Sequence, residues 1–228
     1  ETPPTTIRAN VWKESKITSI TLPSSITTIE DEAFMSTPLT SVTLGDGLMR
    51  IGTNAFKNTQ ISELNLPESL TTIGQGAFMN TPLESITIPG NVTSVGVDAF
   101  YNCTDLTSVT FKANESDEQL KIGYCIHLSD TKGPFYYSPL TSINLNREIV
   151  LTDDEGNAFE SDDWAEGLFA TLYYNDEEKV PAVSLTIGPK VNKLQKYMFN
   201  WLAITSITIP ANVTIIDEFA FDNCSKLS

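Results

Sequence analysis

Apolar residues recur along this chain in short alternating runs that repeat at a fixed interval. Ile17-Thr-Ser-Ile-Thr-Leu-Pro returns as Leu39-Thr-Ser-Val-Thr-Leu-Gly, Ile61-Ser-Glu-Leu-Asn-Leu-Pro and Leu83-Glu-Ser-Ile-Thr-Ile-Pro. It returns again at Leu106, Leu140, Ala182 and Ile204, so the starts differ by 22, 22, 22, 23, 34, 42 and 22 residues. Alternation with a period of two predicts a strand. A Pro or Gly then turns the chain, at Pro23, Gly45, Pro67, Pro89 and Pro210. A second apolar pair follows (Ile26/Ile29, Leu48/Ile51, Leu70/Ile73, Val92/Val95, Val213/Ile216), and each unit closes on Ala-Phe and a polar turn, as at Ala33-Phe34 and Ala220-Phe221. About one helical turn fits in that last segment.

No such unit can bury its own Ile, Leu and Phe side chains, whereas stacked units bury them in one continuous column. The expected fold is therefore mainly β: a right-handed solenoid of 22–23-residue coils. A parallel sheet lines one face, with short strands and 3-10 or single helical turns on the other. Residues 1–228 read as one repeat domain. Residues 1–16 form an incomplete first unit, in which Trp12 takes the Phe slot. Four regular units follow over 17–105, then two irregular units over 106–181, and 182–228 hold two regular units and the start of another. The irregular units carry roughly 12 and 20 extra residues. Phe135 and Phe169 occupy their Phe slots.

The unit pattern L-x-S-I-x-I-P-x-x-V-x-x-I-G-x-x-A-F-x-N-C-x-x-L resembles the BspA-type bacterial leucine-rich repeat, closely over 17–110 and 182–228 and only at the edges of 111–181. The resemblance implies an exported, non-enzymatic protein that adheres to host or neighbouring-cell ligands. Glu1-Thr-Pro-Pro-Thr-Thr carries neither the basic nor the apolar part of a signal peptide. That suits a mature secreted or cell-surface form, and equally a cytosolic one.

Composition narrows the chemistry. With 14 Lys and Arg against 29 Asp and Glu, the formal charge is −15, which opposes binding to nucleic acid or an anionic membrane. No apolar run reaches the roughly 18 residues of a spanning helix. A single histidine, His127, all but excludes His-based triads and multi-His metal sites. Cys125-Ile-His127 offers at most a Cys–His pair on one strand face. Cys103 and Cys224 share one repeat position, filled by Thr37, Thr59 and Thr81 elsewhere. About four coils, roughly 20 Å, separate them, so they read as small buried fillers that cannot reach each other for a disulfide.

Eleven of the 29 carboxylates fall in residues 148–178, with no Lys or Arg among them. This is either a self-repelling, solvated segment or a calcium site built from Asp153, Asp154, Glu155, Asp162 and Asp163, since hard oxygen ligands suit that ion. The spacing departs from an EF-hand loop. Calcium is thus the one cofactor in view.

Aromatics gather in the same irregular units. Tyr136, Tyr137, Trp164, Tyr173 and Tyr174 are candidate ligand-binding residues, the four tyrosines lying outside the repeat's slots. Tyr supplies large contact area at small entropic cost, although such rings can equally pack an insertion onto the solenoid. The outward strand positions, from Ser19/Thr21 to Ser206/Thr208, form a flat hydroxyl ladder that could accept an extended partner or merely favour the strand. The function expected is non-enzymatic binding of a protein or glycan through the insertions or the sheet. The alternative is a spacer that presents another domain or assembles with a partner from the same cell.

Overall fold

The computed structural model describes residues 3–116, 118–123, 133–152, 168–169 and 181–228. In chain order its strands are β1 (Thr6–Ile7), β2 (Ser19–Thr21), β3 (Thr28–Ile29), β4 (Ser41–Thr43), β5 (Arg50–Ile51), β6 (Thr72–Ile73), β7 (Ser85–Ile88) and β8 (Ser94–Val95). They continue as β9 (Ser108–Phe111), β10 (Leu120–Gly123), β11 (Ser142–Leu145), β12 (Ile149–Thr152), β13 (Ser184–Ile187), β14 (Lys193–Leu194) and β15 (Ile215–Ile216). All pairing is parallel, between units rather than within them, as a stack of coils requires.

The longest ladder is built from the second strand of each unit. It has seven strands in the order β1-β3-β5-β6-β8-β10-β12, and β14 pairs β15 in the same way. The first strands divide into a two-stranded sheet, β2-β4, and a four-stranded sheet, β13-β11-β9-β7. In the larger sheet the register keeps equivalent repeat positions side by side, Ser85↔Ser108↔Ser142↔Ser184. Coils pack closely at these ladders. A Cβ on Gly96, directly after β8, would lie 2.4 Å from the Gln75 backbone nitrogen, so the position admits glycine alone.

The Ala-Phe segment differs from the helical turn expected of it, and no helix occurs among the described residues. Each such segment is a hydrogen-bonded turn of the i to i+3 kind, with Met79 N donating to Gly76 O at 3.0 Å. Left-handed residues four apart frame it: Glu32 and Ser36, Asn54 and Asn58, Gly76 and Asn80, Asp98 and Asn102. Single left-handed residues stop right-handed helix propagation. Every second amide is instead turned towards the next coil. Asn54, Phe56 and Asn58 donate to the carbonyls of Gln75, Ala77 and Met79 at 2.8, 2.8 and 2.9 Å. The turns thus form a third hydrogen-bonded face.

The core is a column between these faces. Trp12, Phe34, Phe56, Phe78, Phe100, Phe135, Phe169, Phe199 and Phe221 stack in order, with centroid separations between 5.1 and 5.9 Å. The places assigned to Trp12, Phe135 and Phe169 from spacing are therefore the ones they occupy. Phe199 completes the column behind Met198 rather than Ala, which had hidden it.

Candidate functional site

The turn face carries exposed aromatic side chains. On it, Tyr136 and Tyr137 do fill repeat slots, contrary to the expectation from sequence. Phe135-Tyr136-Tyr137-Ser138-Pro139-Leu140 superposes on Phe78-Met79-Asn80-Thr81-Pro82-Leu83. Asn102 N donates to Tyr136 O at 2.8 Å, just as Asn80 N donates to Tyr101 O one coil earlier. The inserted residues precede Phe135, so the coil regains the regular path by that ring.

The two tyrosines have different environments. Tyr136 is buried, at 5% exposure, and stacks on Tyr101 at 6.0 Å. Tyr137 is 44% exposed, packing edge-on against Tyr101 at 5.6 Å and Tyr136 at 4.5 Å. Its backbone is left-handed, with φ of 60°. In neighbouring coils this position is Ser36, Asn58, Asn80 and Asn102, whose side chains form a ladder. Asn58 Nδ2 donates to Ser36 Oγ at 3.3 Å, Asn80 Nδ2 to Asn58 Oδ1 at 2.7 Å, and Asn102 Nδ2 to Asn80 Oδ1 at 2.9 Å. Two coils beyond Tyr137 the same slot holds Trp201, with φ of 63° and 43% exposure. Sequence reasoning missed Trp201, although aligning Phe199-Asn200-Trp201 on Phe78-Met79-Asn80 points to it.

Trp164, Tyr173, Tyr174, Asp153, Asp154, Glu155, Asp162 and Asp163 lie outside the described residues, as do Cys125 and His127. Among the described residues no group of three or more His, Cys, Asp or Glu is placed to hold a metal ion. Cys103 and Cys224 are free and buried. Cys103 Sγ donates to Phe78 O at 3.2 Å and lies 3.3 Å from Thr81 Oγ1; Cys224 Sγ donates to Phe199 O at 3.1 Å. Burial pushes both thiols up to about 11, the reverse of what an activated nucleophile needs.

The hydroxyl ladder on the first-strand face is present, with Asn144 Nδ2 donating to Thr110 Oγ1 at 3.3 Å across β11 and β9. It is interrupted twice. Clefts of about 330 and 540 Å³ open between β4 and residues Ser62–Asn65, and between β13 and residues Thr205–Thr208. Behind this face, Arg147 is buried and backbone carbonyls hold its fork. Nη1 donates to Gly90 O and Val92 O at 2.7 and 2.8 Å, and Nη2 to Glu118 O at 3.0 Å.

Stacked parallel coils around an apolar column, with the differences between units displayed on the turn face, define a leucine-rich repeat solenoid. Residues 5–122 and 178–228 match the BspA type leucine rich repeat region in six copies, and the chain belongs to that family. Among solved structures it is similar to a leucine-rich repeat protein from Bacteroides ovatus, at 22% identity over 97% of this chain, with a TM-score of 0.59. The alignment covers 57% of that protein, so this chain spans little more than half its length. It is also similar to leucine-rich repeat proteins from Eubacterium ventriosum (17% identity, 96% of this chain and 80% of that one, TM-score 0.49) and Faecalibacterium prausnitzii (18%, 99% and 76%, 0.30). The latter is described as a leucine rich cell surface protein. No curated protein gives a significant match. No helix of the described residues is long and apolar enough to cross a membrane.

Proposed function

We propose that this chain is a non-enzymatic, extracellular binding module, secreted or displayed on a cell surface, that engages a protein or glycan in an adhesin-like way. The observation that carries this reading is the contrast between scaffold and decoration. Four coils keep all of their Ala, Phe and Asn slots for internal packing and bonding, at Ala55-Phe56/Asn58, Ala77-Phe78/Asn80, Ala99-Phe100/Asn102 and Ala220-Phe221/Asn223, while Tyr137, beside the first insertion, is turned out to solvent. Large rings exposed on a rigid scaffold are a common means of gaining contact area at small entropic cost. Membership of the BspA-type family is in keeping with this role. The thiols support a binding rather than a catalytic role, because a hydrogen-bonded buried thiol with a raised pKa is a poor nucleophile.

A panel of extracellular-matrix proteins and glycans tests the proposal, read against the purified chain and a Tyr173→Ala/Tyr174→Ala variant, with and without calcium. Saturable binding is expected, and its loss in the variant would assign the second insertion to recognition. A calcium-dependent gain would bring Asp153, Asp154, Glu155, Asp162 and Asp163 into the site. A blank panel with an intact fold would favour the spacer instead.

A further inference from the structure

One backbone bond recurs from unit to unit along the first-strand face. Thr40 N donates to Thr18 O, Glu84 N to Ser62 O, Thr107 N to Glu84 O and Thr141 N to Thr107 O, at 2.9, 3.0, 3.0 and 2.8 Å. Among the described residues the equivalent bond from Ser62 N to Thr40 O is missing. Here the cleft of about 330 Å³ opens between β4 and Ser62–Asn65. The two units stay joined around it. Gln60 N donates to Leu39 O at 2.9 Å, β5 pairs β6, and Phe56 N donates to Ala77 O at 2.8 Å on the turn face. The opening is confined to one face.

Both walls of the cleft present backbone groups. Ser41 N donates to Thr18 O at 3.3 Å, and Leu22 N donates to Thr43 O at 2.9 Å. Bonds along a strand alternate from side to side, so Val42 and Leu44 turn theirs away from β2 and into the cleft. Opposite them Glu63 is exposed, Leu64 buried and Asn65 exposed, which keeps strand alternation. Ser62 O bonds the following unit, so Glu63 and Asn65 turn their backbone groups back towards β4. Among the described residues no protein group pairs with the amides of Val42, Leu44, Glu63 or Asn65.

The sequence marks the same place. At the outward positions of the eight first strands every residue is Ser, Thr or Asn except Glu63. Glu and Asn both disfavour strands, and this unit alone combines them. Two facing strand edges fit a polypeptide, whose N–H and C=O groups alternate on both sides; a sugar has no such alternation. The cleft lies at the low end of the roughly 300–1,000 Å³ of ligand sites, which suits a short segment. Val42 and Leu44 make its inner side apolar, while Glu63, on a chain of net charge −15, favours a cationic side chain outside. The cleft of about 540 Å³ beside β13 has no charged residue in its lining and serves as the comparison.

We propose that the cleft between β4 and Ser62–Asn65 takes an extended segment of a partner protein as an added strand, with apolar residues over Val42 and Leu44 and a Lys or Arg paired with Glu63. This rests on the reading of the chain as a binding module and narrows its ligand to a basic, extended protein segment.

The test is a backbone-amide NMR titration with the capped peptide Thr-Val-Lys-Val-Thr-Val, run beside the matrix-protein and glycan panel. Saturable shifts are expected at Val42 and Leu44, whose hydrogen exchange slows about tenfold in the complex. The same peptide N-methylated at alternate residues, which removes the donors of one edge, does not bind. Glu63→Lys weakens binding about tenfold and restores it for the peptide with Glu in place of Lys. The unfolding midpoint of this variant serves as the fold control. Absence of saturable shifts overturns the proposal, and so does a response confined to β13. Slow exchange at Val42 and Leu44 in the free chain also overturns it, because the two units then pair with each other. Binding of a matrix protein or glycan with Val42 and Leu44 unchanged overturns it and leaves the binding-module reading standing. Absence of binding by every probe overturns both.

Discussion

The guanidinium of Arg147 reaches 2.7 Å from the carbonyl oxygen of Gly90, a residue two units earlier in the stack. It also holds Val92 O in that same coil and Glu118 O in the coil between them. In a solenoid, where units touch mainly their neighbours, this is a clamp across three. It ties the first irregular unit between two others through backbone carbonyls, those of buried Gly90 and Val92 and that of Glu118, which also accepts from Asn114 Nδ2 at 2.7 Å. Truncating such a group leaves its partners unsatisfied, at roughly 1–3 kcal/mol for each buried acceptor.

Arg147→Ala is therefore expected to lower stability by about 3 kcal/mol, and Arg147→Lys by more than half as much. An ammonium cannot reproduce the planar fork that serves three carbonyls. Chemical denaturation of the three proteins reads this directly. Hydrogen exchange should show the loss of protection concentrated in β10, the strand following the segment that Arg147 holds.

The aromatic column gives a second expectation. Phe78 is fully buried and stacked on both sides, at 5.5 and 5.4 Å. Phe78→Ala should cost about 3–5 kcal/mol. Trp12→Ala, at the half-buried first position, should cost distinctly less. Comparable denaturation midpoints for the two variants would contradict a column whose stability comes from neighbours on both sides.

The amide ladder is separable from the backbone it decorates. Asn80→Gly keeps the left-handed backbone at φ 58° and removes only the bonds to Asn58 and Asn102. Asn80→Ala removes the bonds and adds strain. The Ala variant is expected to be less stable than the Gly variant by about 1 kcal/mol, the reverse of their order in a helix or strand. Thermal midpoints decide the sign.

Stability should also fall in alkali. The Cys103 and Cys224 thiols stand at about 11 when folded, against about 8.5 in an unfolded chain. The folded state thus holds these protons more tightly. The stabilisation is complete below about pH 8.5 and is lost as pH rises towards 11. A Cys103→Thr/Cys224→Thr variant, carrying the residue found at this slot in Thr37, Thr59 and Thr81, should lose part of that slope while remaining within about 1 kcal/mol of wild type at neutral pH. Urea midpoints across the alkaline range measure both effects. Alkylation of the native protein at neutral pH should spare Cys103 and Cys224.

Much of this architecture was legible because a repeat states its rule many times. The strands, the Trp12, Phe135 and Phe169 slots and the Thr-for-Cys exchange all follow from spacing. The left-handed residues that frame the turns were not legible, because a left-handed Glu32 or Ser36 has no distinctive residue type and the short Ala-Phe segment also suits a helical turn. Tyr136 and Tyr137 were misplaced because the residues inserted before Phe135 break the 22-residue count and Pro134 stands where Ala marks the other units. Trp201 went unseen because its unit lacks the Ala that marks the others. Arg147 carries no local signal, since its partners are backbone carbonyls brought near only by the stacking of three coils.

The central claim is that the exposed ring of Tyr137 on the turn face is retained for binding, against the preference of the fold. The most direct measurement is the unfolding free energy of Tyr137→Asn beside wild type. Asn restores the residue the repeat favours, so the account predicts stability equal to or above wild type within about 1 kcal/mol, with relief of the left-handed strain offsetting lost ring contacts. A loss of more than about 3 kcal/mol would show that the ring holds the fold together, and would contradict the claim.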